Sequence, residues 1–486
     1  MQIMIRAEME RCEAMGMFVN PGNEAFAVAL NSEIYVDKTG LLTYTNKVMN
    51  TLQGYICNSR PRRFGKSITA NMLTAYYSKG CSSKEMFSTL KISKDKEFEK
   101  HLNQYDVLHW DIQWCMEPAG GPERIVSYIS EKTIFELKEY YPNILPEGIR
   151  SLPEALSRIN AVSGTKFIVI IDEWDVLIRD EAADLSAQEE YINFLRAMFK
   201  GTEPTKYIQL AYLTGILPVK KYGSHSALNM FTEYSMTNPG NLSEYFGFTE
   251  HEVELLCGEY NMSFQEAKAW YDGYELVSYS RDKQICHSMY SPKSVVEAMM
   301  RHQYGTYWNQ TETYEALKIY IQMNMDGLKD AVVRMLAGEC VVINTGTFSN
   351  DMTTFASKDD VLTLLVHLGY LTYDNEKHTV SIPNREVAQE YINAISTMNW
   401  QEVITSVNDS RKLLEAMWEM DEEKVAAGID KAHEEISILQ YNDENSLSCT
   451  INLAFYFARE FYTLIRELPS GKGFADICMI PRRKYA

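Results

Sequence analysis

Apolar positions along the first half of the chain follow two alternating rhythms. Short unbroken runs suit strands buried on both faces of a parallel sheet: Tyr55-Ile-Cys57, Phe167-Ile-Val-Ile-Ile171, and the stretch Lys206-Tyr-Ile-Gln-Leu-Ala-Tyr-Leu-Thr-Gly215. Between them the apolar spacing widens to three and four residues, which predicts helices over about 66–79, 121–140, 151–161 and 186–200. Tyr105 to Trp114 reads as a further strand. Its alternation, with Val107, His109 and Asp111 against Leu108, Trp110 and Ile112, does not say which side faces the core. Strand and helix in alternation predict an α/β fold with a parallel sheet.

The rhythm changes after the turn-rich Thr237-Asn-Pro-Gly-Asn241. Residues 249–345 read as mostly helical, with Trp270-Tyr-Asp-Gly-Tyr274 and Tyr290-Ser-Pro292 as rigid turns. Asp360 to Leu368 is an amphipathic helix. Two short strands, Gly369 to Tyr373 and Thr379 to Ile382, flank a polar turn, and a helix from Asn384 to Ile395 follows, which together resemble a winged helix. Residues 396–440 read as helical. Ile451 to Leu464 reads as an apolar helix, and Gly473 to Ile480 as a strand. Length allows about three domains. The pattern divides into a core at 20–240, a helical lid at 241–345, a winged-helix-like unit at 346–395 and an α/β end at 396–486.

A net charge of −19 argues against broad attraction to nucleic acid or an anionic membrane. No run approaches the ~20 apolar residues needed to cross a bilayer, so no membrane partner is expected. Nine scattered cysteines lack metal-ligand spacing, and their odd number without a leader-like N-terminus fits a reducing cytoplasm.

Chemistry concentrates at the strand ends. Ser59-Arg-Pro-Arg-Arg-Phe-Gly-Lys-Ser67 joins a strand to a helix, the layout of a phosphate-binding loop. In that reading Arg60, Pro61, Arg62, Arg63, Phe64, Gly65, Lys66 and Ser67 cradle a nucleotide. Lys66 reaches the β- and γ-phosphates, and Ser67 holds Mg²⁺. The position five before Gly65, usually glycine in such loops, is Arg60. The run Phe167–Ile171 ends in Asp172-Glu173. A carboxylate at the C-terminal end of a central strand stands beside the phosphate loop in such folds. Asp172 would complete the Mg²⁺ shell and Glu173 would polarise the attacking water. Thr214, at the end of the 206–215 strand, is a candidate γ-phosphate sensor or a plain turn residue. Tyr35 and Asp37 stand where a base could be contacted or where they merely pack.

Taken in order, Tyr35-Val-Asp-Lys-Thr39, Arg60 to Ser67, Ile171-Asp-Glu-Trp-Asp175, Leu213-Thr-Gly-Ile216, Trp270 to Tyr274, Tyr290-Ser-Pro292, Tyr307-Trp308 and Leu368-Gly-Tyr-Leu371 carry a resemblance. Over about residues 20–486 the chain resembles prokaryotic AAA-ATPase-like proteins with a C-terminal PD-(D/E)xK nuclease-like domain. The resemblance implies an AAA-like P-loop ATPase core, a helical and winged-helix-like middle, ATP with Mg²⁺ as ligands, and the Arg60-Pro-Arg-Arg63 form of the loop. Gly473-Phe-Ala-Asp476 would open the nuclease core, with Asp476 and Glu444 as its remnant carboxylates. The Glu-x-Lys strand does not follow before Ala486, so an incomplete, inactive nuclease-like end is expected. Three functions remain open: an ATP-hydrolysing switch or motor, a nucleotide-gated module that recruits a protein or nucleic acid with negligible hydrolysis, and, ranked below these, an active nuclease that would need its missing strand from another subunit.

Overall fold

The computed structural model describes residues 16–179, 184–219, 228–280, 283–308, 314–323, 325–349, 355–398, 400–435, 444–470 and 473–482. Its centre is a five-stranded parallel sheet of β1 (Tyr55–Ser59), β2 (Asp106–Asp111), β3 (Phe167–Asp172), β4 (Ile208–Gly215) and β5 (Thr232–Tyr234), in the order β2-β3-β4-β1-β5. β1, β3 and β4 are buried along their whole length. That is why their sequences run apolar without alternation.

Side chains still alternate between two cores. Ile56, Ile168, Ile170, Leu210 and Tyr212 pack on the helix α1 (Lys66–Tyr77) through Met72, Leu73 and Tyr76. Cys57, Val169, Ile171, Ala211 and Leu213 pack on the helices Ile125–Tyr140, Leu152–Ser163 and Leu185–Phe199. The ambiguous β2 resolves the same way. Val107 joins the α1 side, where His109 also meets Thr74 at 2.9 Å, while Leu108 and Trp110 face the other core.

The section after the core departs from the helical expectation. It contains an antiparallel sheet of Phe248–Thr249, Lys283–Tyr290 and Tyr274–Ser280, flanked by helices including Pro292–Arg301. Gln284, Ile285 and Cys286 are exposed there, so the hydrophobic contrast that marks a strand is weak. The next unit has helix Lys358–Leu368, strands Thr372–Asp374 and Thr379–Ser381, and helix Arg385–Ser396. Val341–Val342 adds a third strand that was not anticipated.

The C-terminal reading needs correction. The helix expected over Ile451–Leu464 ends at Ala454, and Tyr462–Ser470 is a strand paired antiparallel with Gly473–Pro481. Short apolar runs do not separate helix from strand, and here the partner strand decides. Asp476 is exposed on this two-stranded hairpin. Glu444 opens the helix Glu444–Ala454, and its side chain lies outside the described residues. Among the described residues no three His, Cys, Asp or Glu side chains gather as a metal cage, and no helix is long and apolar enough to cross a membrane.

Gly273 joins the middle section to the winged-helix-like unit. Its φ is +108°, and a Cβ there would lie 2.0 Å from the Pro383 carbonyl oxygen. Gly258, exposed in the helix Glu250–Glu259, has nothing within 4 Å of its would-be Cβ. Gly273→Ala is expected to destabilise the fold by about 1–3 kcal/mol through backbone strain alone, with the collision adding to it. Gly258→Ala is expected to stabilise by about 0.5–1 kcal/mol through helix propensity. Denaturation midpoints moving in opposite directions would bear out the pair.

Candidate functional site

The site is built at the carboxyl ends of the central strands. Register places Asp111 beside Asp172, Asp172 beside Thr214, and Thr214 beside Asn58. These four belong to the α1 side of the sheet, so the strand ends form one polar row. Asn58 and Thr214 are fully buried, and Asn58 Oδ1, Asn58 Nδ2 and Thr214 Oγ1 make no hydrogen bond to another protein atom.

The loop from β1 to α1 closes over this row. Arg63 (φ +66°) and Gly65 (φ +86°) both adopt left-handed backbone. Nothing crowds a Cβ at Gly65, so conformation and not space favours glycine there. Gly65 is the N-cap of α1 and no side chain caps the first turn. The open N–H groups and the helix dipole favour an anion at that end.

Lys66 is nearly buried. Its Nζ donates to the Pro61 carbonyl at 3.0 Å and stands 3.9 Å from Glu173 Oε1. Burial pushes the ammonium's pKa down, while Glu173, Asp172 and Asp175 oppose that shift. Asp172 is pushed up to about 7, chiefly by burial and further by Glu173 and Asp111, against a hydrogen bond from Ser67 and the charge of Lys66. The structure therefore brings Lys66, Ser67, Asp172 and Glu173 together. Asp172 lies beneath Ser67, and Thr214 lies beside it in the row.

Two residues that sequence reasoning missed hold the acidic turn. Asp175 is fully buried. It accepts from the Ile216 and Leu217 backbone N–H groups at 3.0 and 2.7 Å, and from Arg179 Nε at 2.9 Å. Arg179 Nη2 also reaches Glu173 Oε2 at 2.5 Å. A Cβ at Gly215 would stand 2.4 Å from Asp175 Oδ1, so the close approach of β4 to this turn requires glycine. The four-residue spacing of Asp175 and Arg179 after an acidic strand end was the available signal.

A pocket of about 650 Å³ opens above the row. One end is lined by Arg62, Arg63, Gly65, Lys66, Ser67, Glu173 and Arg179. The other is lined by Ala29, Tyr35, Val36, Phe248, Lys293 and Val296. Asp37 is not in the lining; its carboxylate accepts from Thr39 N, Thr39 Oγ1 and Lys91 N at 2.8, 2.6 and 2.6 Å. Lys293 and Val296 come from Pro292–Arg301, distant in sequence, and no local pattern marks them.

Three loop residues expected on the ligand turn elsewhere. Arg60 is fully buried and faces away from the pocket. Its Nη1 donates to the Ser59 and Tyr234 carbonyls at 2.8 and 3.0 Å, and the guanidinium lies 5.4 Å from the Phe246 ring centroid. Pro61 packs under Gly369, where a Cβ would meet it at 2.8 Å. Phe64 is 1% exposed, and its ring sits edge-on to Tyr274 at 5.3 Å. Its side chain belongs to the core of the following units, although its residue still borders the pocket.

The donor set fits a magnesium–nucleoside triphosphate. It offers an uncapped helix end, a buried lysine, a hydroxyl near a carboxylate, and three polar atoms in the row below that have no hydrogen-bond partner among the described residues. Mg²⁺ is commonly held by one or two carboxylates and substrate phosphates, so an all-protein cage is not needed.

Residues 24–224 match a family model described as a predicted AAA-ATPase. A curated relative, an uncharacterized protein in the vnfD 5′ region of Azotobacter chroococcum mcd 1, is 23% identical over 288 residues. That alignment covers 57% of this chain and 51% of the relative, so the chain spans about half the length of the curated relative it matches. Among solved structures, the Aeropyrum pernix ORC2 protein in ADPNP–ADP complexes aligns over 75% of this chain and 96% of that one, at 11% identity and TM-score 0.32. The A. pernix ORC1 protein in complex with DNA aligns over 77% and 90%, at 11% identity and TM-score 0.25. Overlays this loose transfer no residue roles. The family match lies within residues 24–224 and supplies no support for a nuclease-like C-terminus.

Asp172 also yields a stability test. Its folded pKa of about 7 exceeds the ordinary 3.8, so the folded state holds a proton that the unfolded state has lost between those values. Its contribution to stability is therefore greatest at low pH and falls as pH rises from about 4 to about 7. In nucleotide- and metal-free protein, Asp172→Asn is expected to raise the thermal midpoint at pH 8. The gain should shrink steadily below pH 7 and vanish near pH 4; a pH-independent gain would contradict this origin. As α1, β3 and β4 converge on these groups, the core takes a P-loop-like α/β fold, and residues 24–224 are similar to a family described as predicted AAA-ATPases.

Proposed function

We propose that the chain binds ATP with Mg²⁺ and hydrolyses it. The observation that carries this reading is the meeting of two sequence-distant segments in one pocket: Lys66 Nζ stands 3.9 Å from Glu173 Oε1, and Lys66 and Ser67 lie close enough to Asp172 for both to oppose the rise of its pKa. The family match over residues 24–224 supports it independently.

In this reading the α1 N-terminus and Lys66 bind the phosphates. Ser67 and Asp172 would hold Mg²⁺, which when bound neutralises charge on the phosphate oxygens. Glu173 orients the attacking water and accepts its proton. Thr214 and Asn58 supply polar contacts beneath the reacting group. Tyr35, Val36, Phe248 and Val296 enclose the less polar end, which suits a base. The segment boundaries at 20–240, 241–345, 346–395 and 396–486 stand with this proposal as working divisions.

A second reading has a specific observation behind it. Phe64 and Pro61 tie the phosphate loop to Tyr274, Gly369 and Trp308, and Tyr274 Oη donates to the Gly369 carbonyl at 2.7 Å. Nucleotide occupancy could thus bias the winged-helix-like unit toward a protein or nucleic acid partner with little turnover.

Lys66→Ala is expected to abolish ATP binding. Glu173→Gln is expected to retain binding and lower steady-state phosphate release by about 10²–10⁴-fold, the usual scale for loss of a general base. Unchanged release in both variants would refute the assignment. Tight binding by the native chain with negligible release would favour the second reading.

A further inference from the structure

We propose that Arg179 distinguishes a nucleoside triphosphate from a diphosphate, and that it rests on Glu173 until a γ-phosphoryl group draws it away. The inference rests on the nucleotide reading above and assigns a role to a residue which that reading leaves unused.

Arg179 closes a single helical turn, Val176–Arg179, directly after the acidic strand end. Its side chain is 9% exposed and lines the pocket at the same end as Lys66 and Ser67. The inner edge of the guanidinium is anchored: Nε bonds Asp175 at 2.9 Å, and Asp175 is itself fixed by two backbone N–H groups from the segment after β4. The outer edge, Nη2, reaches Glu173 Oε2 at 2.5 Å and keeps a longer 3.4 Å bond to Asp175 Oδ1, while Glu173 Oε1 faces Lys66. The carboxylate thus sits between two cations. Held this way its oxygens face Arg179 and Lys66, and a water must compete with the Arg179 hydrogen bond to reach Oε2.

A bound triphosphate changes that balance. The planar guanidinium matches phosphate oxygens in a two-point geometry better than an ammonium does. Asp175 would keep the arginine's inner edge in place while the outer edge swings from Glu173 to the terminal phosphate. The exchange frees Glu173 when the reacting group is present. A diphosphate ends one phosphoryl group short and leaves the ion pair closed. Arg62 and Arg63 also line the pocket, but they are exposed on the loop, whereas Arg179 is nearly buried against Asp175.

The test uses the full chain with Mg²⁺ and compares calorimetric affinities for adenylyl imidodiphosphate and ADP. Arg179→Ala is expected to weaken the triphosphate analogue at least tenfold and ADP less than threefold. Arg179→Lys keeps a point charge beside Glu173 and Asp175, so the fold persists; it should lose about three- to tenfold for the analogue alone. Glu173→Gln should tighten the analogue several-fold when Arg179 is present and not in Arg179→Ala. Equal losses for both nucleotides, or no loss in either arginine variant, would overturn the role of Arg179 and leave the nucleotide reading standing. If the native chain binds neither nucleotide, that reading fails and this inference falls with it.

Discussion

Polar groups at the ends of fully buried strands impose the main constraint on this molecule. β1, β3 and β4 are covered on both faces, so each is mostly apolar until its last residues, the exception being Gln209 at the start of β4, which donates to the Lys166 carbonyl. Parallel pairing then forces Asn58, Thr214 and Asp172 into a single row. A buried polar atom without a partner costs about 1–3 kcal/mol. The row holds three such atoms on Asn58 and Thr214, beside a carboxyl whose pKa burial has pushed up to about 7. Packing alone would favour apolar residues here. The row is intelligible as the floor of a site whose ligand offsets part of that cost.

The phosphate loop is constrained from the opposite side. Backbone N–H groups can face a ligand only if the loop's side chains find other places. Arg60 is buried between β1 and β5, Pro61 lies under Gly369, and Phe64 is plugged against Tyr274. The Gly247 N–H also donates to the Phe64 carbonyl at 3.2 Å. The loop therefore gets its shape from contacts with the second half of the chain, where a more glycine-rich loop would get it from local freedom. Any change of loop path must move Phe64 or Pro61 against those packed units. This gives a physical route from the pocket to the winged-helix-like section.

Much of the core was readable because strong periodicity and strand-end chemistry coincide. The run at 167–171 is strand, that at 206–215 is strand from Ile208 on after a short helix that takes in Lys206 and Tyr207, and the Gly-Lys-Ser stretch does open a helix. What sequence could not supply was arrangement across long separations. Lys293 and Val296 reach the pocket only because an antiparallel sheet with half-exposed strands positions their helix. Asp37 was open to either base contact or packing, and its lone pairs are used in capping its own turn and the Lys91 backbone. The run at 451–464 was misread because the strand that pairs with it, Gly473–Pro481, is needed to choose between helix and strand.

Arg60 shows why an unusual loop residue need not touch a ligand to matter to it. Its guanidinium is fully buried, and among the described residues its Nε and Nη2 make no hydrogen bond. Desolvation lowers its pKa to about 9, which still leaves it charged at neutral pH. Its contacts are two carbonyl oxygens and the face of Phe246, with no carboxylate among them. A cation so placed is poorly compensated by its surroundings, because dipoles and a ring replace only part of its lost hydration. It lies at the base of the loop that would receive the phosphates, where water screens little and Coulomb terms persist over several ångströms. A polyanion above the loop would supply the missing negative charge without direct contact. The same reasoning that makes this arginine a cost to the empty fold would make it a source of affinity in the proposed triphosphate complex.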